Sequence, residues 1–334
     1  MSRAKFLIHP LSNLLVTGGS GFMGSAFIRY LFEKTPFAGK LVNLDLLTYA
    51  SSQDNLLSVQ NSPCYHFFQG NINQTDLVED LLLSYEIDLI VNFAAETHVD
   101  RSICDPAPFM DTNVRGVFSL LELIRRYTYI HFHQISTDEV FGSLGEEGSF
   151  YEHSPYRPNS PYSASKASAD HLVRAYSRTY GLSTTVSHAV NNFGPYQHPE
   201  KLIPKMMGRL RDNKPVPIYG KGAQKRSWIF VEEHARALWI LLNRGVSGET
   251  YNIPGTATLS NLEVVQAFTS LLQEQGLYQG SWEEAVLFTQ ERLGHDFRYH
   301  LDGKKLFQLG YAPEVSFSEG LLKTYRWEGS RQRS

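Results

Sequence analysis

The stretch NLLVTGGSGFMGSAFIRYLFEKT (residues 13–35) contains a short apolar strand, a glycine-rich turn and an amphipathic helix. Gly18, Gly21 and Gly24 stand between the strand and the helix. Glycines allow a tight turn and let backbone N–H groups approach a pyrophosphate at the helix N-terminus. Three glycines can also serve turn chemistry alone, but strand, turn and helix in this order predict a dinucleotide-binding unit.

The next apolar stretch, KLVNLDLLTYA (residues 40–50), predicts a second strand that ends at Asp45. An acidic residue about 20 residues after the turn is placed to hydrogen-bond the ribose of a dinucleotide. No Arg or Lys lies beside Asp45 to hold a 2′-phosphate. The pattern therefore favours NAD over NADP.

Strand and helix patterns then alternate along the chain. Further strands are predicted at residues 65–72, 86–96, 129–136 and 183–190, and helices at residues 74–85, 109–127 and 160–181. Parallel strands need such crossover helices. The fold class predicted is therefore α/β, with a Rossmann-type doubly wound parallel sheet over residues 13–190.

After residue 190 the sequence becomes rich in proline and loop-like. It continues with shorter helix and strand patterns at residues 205–213, 216–220, 227–245, 260–275 and 318–327. These predict a smaller, mixed α/β domain over residues 191–330 that mainly binds substrate. No low-complexity linker separates the two parts, so we expect them to pack tightly. We also expect some strands or helices to be exchanged between them.

The composition excludes several classes of protein. The chain has 334 residues, 42% of them apolar, and a formal net charge of −3. Neither nucleic acid nor a membrane is therefore expected as a partner. The two cysteines and twelve histidines show no metal-ligand spacing, so no metal is predicted. We find no signal-peptide pattern and no apolar run of the roughly 18 residues that a membrane span needs, so a cytoplasmic location is expected.

Tyr162 and Lys166 are spaced one helical turn apart and share a helix face. A nearby ammonium stabilises a tyrosinate and lowers the tyrosine pKa, which produces a base for a hydroxyl proton. Thr137, near the end of the preceding strand, could bind the same oxygen. The spacing is common by chance, but downstream of a dinucleotide turn it indicates a catalytic pair.

The segment QISTDEVFG (residues 134–142) places Asp138 and Glu139 where a buried strand ends. Burying an unpaired carboxylate is costly, so this is either a solvated loop or an acid and a base held side by side. Neighbours on a regular strand point to opposite faces. If they act together, the two carboxyls must lie beyond the strand end, where the backbone has turned.

The chain at this point resembles the extended short-chain dehydrogenase/reductase family, within it the nucleoside-diphosphate-sugar 4,6-dehydratase branch. The motifs that carry the resemblance are TGGSGFMG, NFAAETHVD, TNVRGV, STDEVFG, PYSASK, NNFGPYQHPEKLIP, HARAL, GETYNI, SNLEVV and GHDFRY. The resemblance covers nearly the whole chain. It implies a lyase that uses NAD to remove water from a nucleotide sugar, with dTDP-glucose as the expected substrate.

The resemblance also implies the roles of the catalytic residues. Tyr162, helped by Lys166 and Thr137, takes the proton of the sugar 4-hydroxyl while NAD takes the C4 hydride. The C5 proton becomes acidic next to the 4-ketone and is removed by Glu139. Asp138 protonates the leaving C6 hydroxyl, and the hydride returns to C6. This chemistry requires a neutral Asp138 and an ionised Glu139, which sharing one proton between adjacent carboxyls favours.

The same resemblance implies two sets of binding residues. The cofactor set is Gly18, Gly21, Phe22, Met23, Gly24, Asp45, Leu46, Thr48, Asn71, Ile72, Ala94, Ala95, Thr97, Thr112, Tyr162, Lys166 and Asn192. The substrate set is His98, Thr137, Asn191, Lys201, Leu202, Pro217, Tyr219, Arg226, Asn261, Arg292 and His295, with the two arginines on the diphosphate. On spacing alone, Arg226 and His295 would be read as a solvated cation and a loop histidine.

Some positions depart from the family pattern, and alternatives stay open. Leu46, Asn71, Ser227 and Phe297 stand where the family usually has Lys, Asp, Asp and Arg. The nucleobase could therefore be thymine, uracil or cytosine. A sister epimerase or decarboxylase, and a dinucleotide-binding scaffold without turnover, are the competing interpretations. The family also implies a homodimer built through the helices near residues 107–127 and 161–180.

Overall fold

The computed structural model describes residues 12–291 and 296–331. Its strands are Leu14–Thr17 (β1), Leu41–Asp45 (β2), Tyr65–Gln69 (β3), Leu89–Asn92 (β4), His131–Thr137 (β5), Thr184–Ala189 (β6), Asn191–Phe193 (β7), Val216–Tyr219 (β8), Lys225–Phe230 (β9), Thr250–Ile253 (β10), Ala257–Ser260 (β11) and Val286–Thr289 (β12). Its helices are Phe22–Lys34 (α1), Thr75–Ser84 (α2), Val99–Cys104 (α3), Ala107–Phe109 (α4), Val117–Arg126 (α5), Pro161–Tyr180 (α6), Leu202–Arg211 (α7), Val231–Arg244 (α8), Asn261–Glu274 (α9), Lys304–Gln308 (α10) and Phe317–Arg331 (α11).

The central layer is a seven-stranded sheet in the order β10-β6-β5-β4-β1-β2-β3, parallel at every pairing. The residues of β1, β2, β4, β5 and β6 are buried throughout, as expected for strands covered on both faces. The apolar residues of α2, α5 and α6 pack on one face, and those of α1 and α8 on the other. The predicted doubly wound parallel sheet is confirmed.

The residues after 190 build a second core but also complete the first. A three-stranded sheet (β11-β9-β7) and a two-stranded sheet (β12-β8) pack with α7, α9 and α11. β10 pairs in parallel with β6 at the edge of the large sheet, and α8 packs on α1. Elements that follow the predicted boundary thus belong to the first layer.

The helix predicted at residues 109–127 is interrupted in the structure. α4 runs into a π-helical turn, Met110–Gly116, before α5 begins. The Asn113 amide donates to Glu96 O at 3.0 Å and to Ser165 Oγ at 2.8 Å, and its Oδ1 accepts from Glu96 N at 2.9 Å. These contacts from outside the helix accompany the wider turn, and π-turns often lie at functional sites. In residues 12–291 and 296–331, no helix is long and apolar enough to cross a membrane.

Two histidines of β5 lie in a polar ladder against the neighbouring strand. His131 hydrogen-bonds Ser183 at 2.8 Å and Thr185 at 2.9 Å, while His133 hydrogen-bonds Thr185 at 2.8 Å and Ser187 at 2.9 Å. Burial lowers the pKa of His131 to about 3 and takes the pKa of His133 well below its usual value. Both rings are neutral in the folded chain.

His234 of α8 is buried against the opposite face of the same region. Neither ring nitrogen has a hydrogen-bond partner among the described residues. Its ring lies edge-on to Phe93, with centroids 6.5 Å apart. Burial lowers the pKa of His234 to about 3, so this ring is neutral too.

We predict that the free energy of unfolding falls when the pH decreases from about 7.5 to about 5.5. In the unfolded chain histidines have a pKa near 6.5, whereas in the folded chain the pKa of His131 and of His234 is about 3. Stability is therefore fully present above pH 6.5 and is lost on acidification, by about 1.4 kcal/mol per pH unit for each such histidine. Urea unfolding at the two pH values measures the loss.

His234→Phe should reduce this loss of unfolding free energy by about 1.4 kcal/mol per pH unit, because phenylalanine has an aromatic ring that does not titrate. The exposed His153, replaced by Phe, is the matched control. An equal acid-induced loss in wild type and His234→Phe would show that the buried ring does not contribute.

Candidate active site

A cavity of about 340 Å³ opens along the carboxyl ends of the central strands. Gly18 follows β1, Asp45 ends β2, Ala94 follows β4, Thr137 ends β5 and Val190 follows β6, and all five line the cavity. The cavity lies where β1 and β4 are neighbours and the strand order reverses. This switch point is where open α/β sheets bind ligands.

The glycine-rich turn approaches the sheet so closely that side chains are excluded. Gly18 has φ +67°, and a Cβ there would lie 2.6 Å from Ala94 N. A Cβ on Gly24 would lie 2.4 Å from Gly18 O. No side chain caps the start of α1 after Gly21, so the first backbone N–H groups of the helix are available to an anion. This cradle fits the pyrophosphate of a dinucleotide.

Asp45 is held in place by the backbone around it. Its Oδ2 accepts from Ser20 N at 2.9 Å, and its Oδ1 accepts from Leu47 N at 2.8 Å and from Ser51 Oγ at 3.0 Å. A carboxylate has about four lone-pair positions, so Asp45 retains capacity for a ribose hydroxyl. The side chain predicted to bind an adenosine ribose is thus held in position by the protein itself.

Every residue predicted to bind the cofactor lines this one cavity. These residues are Gly18, Gly21, Phe22, Met23, Gly24, Asp45, Leu46, Thr48, Asn71, Ile72, Ala94, Ala95, Thr97, Thr112, Tyr162, Lys166 and Asn192. The set fits an NAD molecule, with a glycine cradle for the phosphates and a fixed acid for the ribose.

Two departures from the family pattern, Leu46 and Asn71, lie on the cavity wall. The Asn71 side-chain oxygen already accepts from Asn73 N at 2.9 Å. An aspartate there would offer a second oxygen, whereas Asn71 keeps only the remaining lone pair of one. Asn71 therefore accepts fewer hydrogen bonds at this wall than an aspartate would, although its amide nitrogen can donate.

The helix that carries Tyr162 and Lys166 begins sharply. Ser160 Oγ caps it by accepting from Ser163 N at 3.1 Å, and Pro161 occupies its first turn. Lys166 Nζ donates to the carbonyl oxygen of Ile135 on β5 at 2.7 Å. Burial lowers the pKa of Lys166 to about 8, and the nearby Asp170 acts in the opposite direction.

Tyr162 is also buried in the cavity wall. Its pKa is raised, mainly by burial and then by the Glu139 carboxyl, while a hydrogen bond with Thr137 acts in the opposite direction. This differs from the lowered pKa expected from Lys166 alone. Desolvation of the phenolate and the negative charge of Glu139 outweigh the Thr137 hydrogen bond.

The carboxyl pair lies just beyond the strand end, as predicted. β5 ends at Thr137, and a 3₁₀ turn, Asp138–Phe141, follows at once. The Thr137 hydroxyl accepts from Glu139 N at 3.3 Å and donates to Asp138 Oδ1 at 3.3 Å. Ser163 Oγ donates to Glu139 Oε2 at 3.2 Å. The turn directs both carboxyls into the cavity that holds Tyr162 and Lys166.

The two carboxyls differ in their surroundings. Burial, followed by the charge of Glu139, raises the pKa of Asp138 to about 8, against the opposing charge of Arg226. Asp138 Oδ2 is buried without a hydrogen-bond partner among the described residues. Burial also raises the pKa of Glu139, opposed by Arg226 and by the Ser163 hydrogen bond. At neutral pH Asp138 therefore carries a proton that it can donate.

The predicted substrate residues are only partly brought together. Thr137, Asn191 and Lys201 line the cavity. The others with described positions lie outside its wall, namely His98, Leu202, Pro217, Tyr219, Arg226 and Asn261. Arg292 and His295 lie outside the described residues.

Arg226 lies behind the carboxyl pair. Its guanidinium donates to three backbone carbonyls, of Lys225 at 2.9 Å, Asp296 at 3.0 Å and Phe297 at 3.3 Å, and stacks over the Tyr299 ring at 4.5 Å. The side chain is 9% exposed. The solvated surface cation that spacing alone suggests is therefore wrong, and contact with a diphosphate stays a prediction.

Glu200 lines the cavity and is not predicted by sequence reasoning. Its carboxylate lies 3.5 Å from His98 Nε2 and 3.8 Å from Lys201 Nζ, and it accepts from the Tyr49 hydroxyl at 3.3 Å. No spacing links residues 49, 98 and 200, so only the folded chain reveals this cluster. The one local signal was its place beside Lys201.

The sequence model of the GDP-mannose 4,6 dehydratase family matches residues 15–324. The chain belongs to the GDP-mannose 4,6 dehydratase family. A curated relative from Haemophilus influenzae named dTDP-glucose 4,6-dehydratase is 45% identical over 332 residues, which cover 95% of this chain and 98% of the relative.

Solved structures of a dehydratase and of an epimerase have the same fold as this chain. DesIV of Streptomyces venezuelae, a dTDP-glucose 4,6-dehydratase solved with NAD and TYD bound, is 43% identical with TM-score 0.89, covering 96% of this chain and 98% of that chain. A UDP-glucose 4-epimerase from Thermotoga maritima, solved with UDP-glucose, is 27% identical with TM-score 0.85, covering 96% of this chain and 99% of that chain. The fold is shared by both, and sequence identity is higher with the dehydratase.

We predict that Asp138→Asn raises the free energy of unfolding of this GDP-mannose 4,6 dehydratase family member at pH 7. The folded-state pKa of Asp138 is near 8, above the unfolded value near 3.9, so wild type loses stability as the pH rises between these values. The amide removes that loss. The gain should be a few kcal/mol at pH 7 and smaller at pH 5, because each pH unit is worth about 1.4 kcal/mol.

Chemical denaturation at both pH values tests this, with the exposed Glu146→Gln as matched control. A destabilised Asp138→Asn variant at pH 7 would show that Asp138 is stabilised, not penalised, as a carboxylate.

Proposed function

We propose that the chain is an NAD-dependent dTDP-glucose 4,6-dehydratase, a hydro-lyase that forms dTDP-4-keto-6-deoxyglucose and water. One observation carries the proposal. The adjacent carboxyls of Asp138 and Glu139 share a buried cavity with Tyr162 and Lys166. Similarity to named dTDP-glucose 4,6-dehydratases over nearly the full chain supports it.

The cavity residues named above would hold NAD, with its phosphates at the Gly18–Gly24 turn and its ribose at Asp45. When bound, NAD supplies an acceptor for the hydride of sugar C4, a donor of hydride to C6 and, in its oxidised form, a positively charged ring. The protein residues supply the proton transfers, the orientation of the sugar and the exclusion of water.

Tyr162 Oη takes the proton of the 4-hydroxyl. The Thr137 side chain hydrogen-bonds Tyr162 and orients that oxygen. A protonated Lys166 favours the tyrosinate, since an opposite charge nearby lowers the pKa of a phenol. Lys166 itself is fixed by its hydrogen bond to the Ile135 carbonyl.

Glu139 then acts as the base, and Asp138 as the acid, in the elimination of water. A ketone at C4 makes the C5 proton removable, and the Glu139 carboxylate takes it. The protonated Asp138 gives its proton to the leaving C6 hydroxyl, a role that its raised pKa suits. Glu139 returns its proton to C5 after hydride reaches C6.

Asn191 and His98 would lie near the phosphate–sugar part of the substrate, and Lys201 would help to hold the nucleoside; Asn191 and Lys201 both line the cavity. Arg226, Arg292, His295 and Asn261 complete the proposed nucleotide site. Thymine is the proposed base, with uracil and cytosine as the alternatives that an assay decides. We also propose a cytoplasmic enzyme of deoxysugar biosynthesis, such as the route to rhamnose, with a cofactor domain at residues 13–190 and a mainly substrate-binding part at residues 191–330.

Purified protein incubated with dTDP-glucose should lose one water from the sugar, detected by mass spectrometry, and form a 4-keto product that absorbs in alkali. UDP-glucose and CDP-glucose, tested separately, should react more slowly. Conversion to the galactose epimer without loss of water would favour the sister epimerase.

Asp138→Asn and Glu139→Gln should each lower kcat for dehydration by about 100-fold or more, the range expected for a general acid or base. Oxidation at C4 should persist, seen as a single-turnover rise in NADH absorbance, because Tyr162 and Lys166 are intact. Tyr162→Phe, the matched control, should lose both signals. Full turnover in either carboxyl variant would overturn that residue's role.

We further propose a homodimer built through α5 and α6, which pack on each other. Met110, Phe118 and Tyr180 are 45%, 45% and 47% exposed on this part of the molecule. Phe118→Glu should shift the mass measured by light scattering from dimer to monomer. The exposed Leu83→Glu, on α2, is the control. A monomeric wild type would refute the proposal.

A further inference from the structure

Asp170 is a buried carboxylate that the proposed mechanism does not use. It lies on α6 four residues after Lys166, which itself lies four residues after Tyr162, so the three side chains follow one helix face. Asp170 is 0% exposed and does not line the cavity. A buried carboxylate is costly unless it is paired, so its place next to the catalytic lysine needs a reason.

Three side chains from three different segments surround this carboxylate. Its Oδ2 accepts from Ser136 Oγ on β5 at 2.7 Å and from the Tyr156 hydroxyl at 2.9 Å, and lies 3.3 Å from His188 Nε2 on β6. Arg174 Nη2 donates to the same Tyr156 oxygen at 2.7 Å. Burial alone would raise the pKa of Asp170, but the His188 contact, the Ser136 hydrogen bond and the Lys166 charge outweigh it, and the pKa is lowered.

Asn252 holds the His188 ring in position on the side away from Asp170. Asn252 Nδ2 donates to the Phe150 carbonyl at 3.1 Å, which turns Asn252 Oδ1 toward His188 Nδ1 at 3.0 Å. His188 Nδ1 therefore lies against an acceptor, and Nε2 lies between Asp170 Oδ2 and the Tyr156 hydroxyl, the latter at 2.6 Å. The Ser136 hydrogen bond and the His188 contact at this oxygen favour the ionised carboxylate.

Its other oxygen, Oδ1, is buried without a hydrogen-bond partner among the described residues. The ionised group thus keeps acceptor capacity that no neighbouring side chain satisfies. The negative charge of Asp170 also acts on the Lys166 pKa, where it opposes the effect of burial.

We propose that Asp170 is a positioning residue whose fixed negative charge keeps Lys166 protonated, and thereby sustains the ammonium that Tyr162 needs to accept a proton. This inference rests on the proposed function of Tyr162 and Lys166. The titratable and charged groups around the pair are Asp138 and Glu139 from the 3₁₀ turn, Asp170 and Arg174 from α6, His188 from β6 and Tyr156 from the preceding loop.

Loss of the Asp170 charge has two consequences that can be separated. Burial has already lowered the pKa of Lys166 to about 8, and without Asp170 it falls further, so the proton shared by Tyr162 and Lys166 moves toward the tyrosine. Tyr162 and Lys166 together hold one proton more in the inactive form than in the active form. Without the negative charge of Asp170, the pair loses that proton at lower pH. The first effect lowers the rate, and the second moves the acid limb of the rate profile to lower pH.

Asp170→Asn keeps the shape and removes the charge. We expect kcat on dTDP-glucose to fall about tenfold and the acid limb of the kcat profile to move down by about one pH unit or more. With substrate deuterated at C4, the isotope effect on kcat should increase, since proton removal from the 4-hydroxyl accompanies breaking of that C–H bond. Tyr156→Phe removes one hydrogen bond to the same oxygen but keeps the charge, so it should lower the midpoint of thermal unfolding and leave the pH profile in place.

A second measurement does not depend on turnover. The rate at which acetic anhydride acetylates Lys166, followed by mass spectrometry of the peptide, rises as the amine deprotonates. Its midpoint should lie near pH 8 in wild type and about one unit or more lower in Asp170→Asn, with Asp170→Ser as the second variant should the amide not fold.

An unchanged acetylation midpoint in a folded, destabilised variant would show that Asp170 only supports the structure. A wild-type midpoint below about 7 would overturn the proposal without any variant. A wild type that is acetylated as expected but does not dehydrate dTDP-glucose would instead refute the proposed function alone.

Discussion

Parallel pairing is the constraint on which the rest of this structure depends. Because β1 to β6 all run in one direction, their carboxyl ends meet at one edge of the sheet, and each of their following turns projects there. The glycine-rich turn, Asp45, the carboxyl pair and the helix that carries Tyr162 are far apart in sequence. They share a cavity because the topology leaves them one common edge.

Desolvation then sets the charge of the groups gathered at that edge. It raises the pKa of Asp138 and Tyr162 and lowers that of Lys166, so each group moves toward its neutral form. Charge survives where the chain supplies fixed partners. Arg226, pinned by three carbonyls, opposes protonation of the carboxyl pair, and Asp170 opposes deprotonation of the lysine. The pKa values of groups in the cavity thus depend on residues that do not line it.

Local patterns predicted much of this arrangement. Strand–turn–helix order identified the glycine cradle, and the alternation of side chains along a strand placed Asp138 beyond the end of β5. The π-turn at Asn113 escaped prediction because its amide bonds to Glu96 and Ser165, which are distant in sequence. For the same reason, spacing could not show that Arg226 is buried or that Glu200 joins His98 and Tyr49. Such contacts join residues that are distant in sequence, so a short stretch of sequence cannot predict them.

The strand β10 has a consequence for biosynthesis. β6 is complete by residue 189, yet its outer edge stays unpaired until residues 250–253 arrive and hydrogen-bond to it. While the ribosome makes the intervening segment, the nascent sheet exposes the unpaired backbone N–H and C=O groups of β6, which can pair with another chain. Chaperone protection during translation would matter most in that interval. A chain that ends before residue 250 would keep the edge of β6 unpaired.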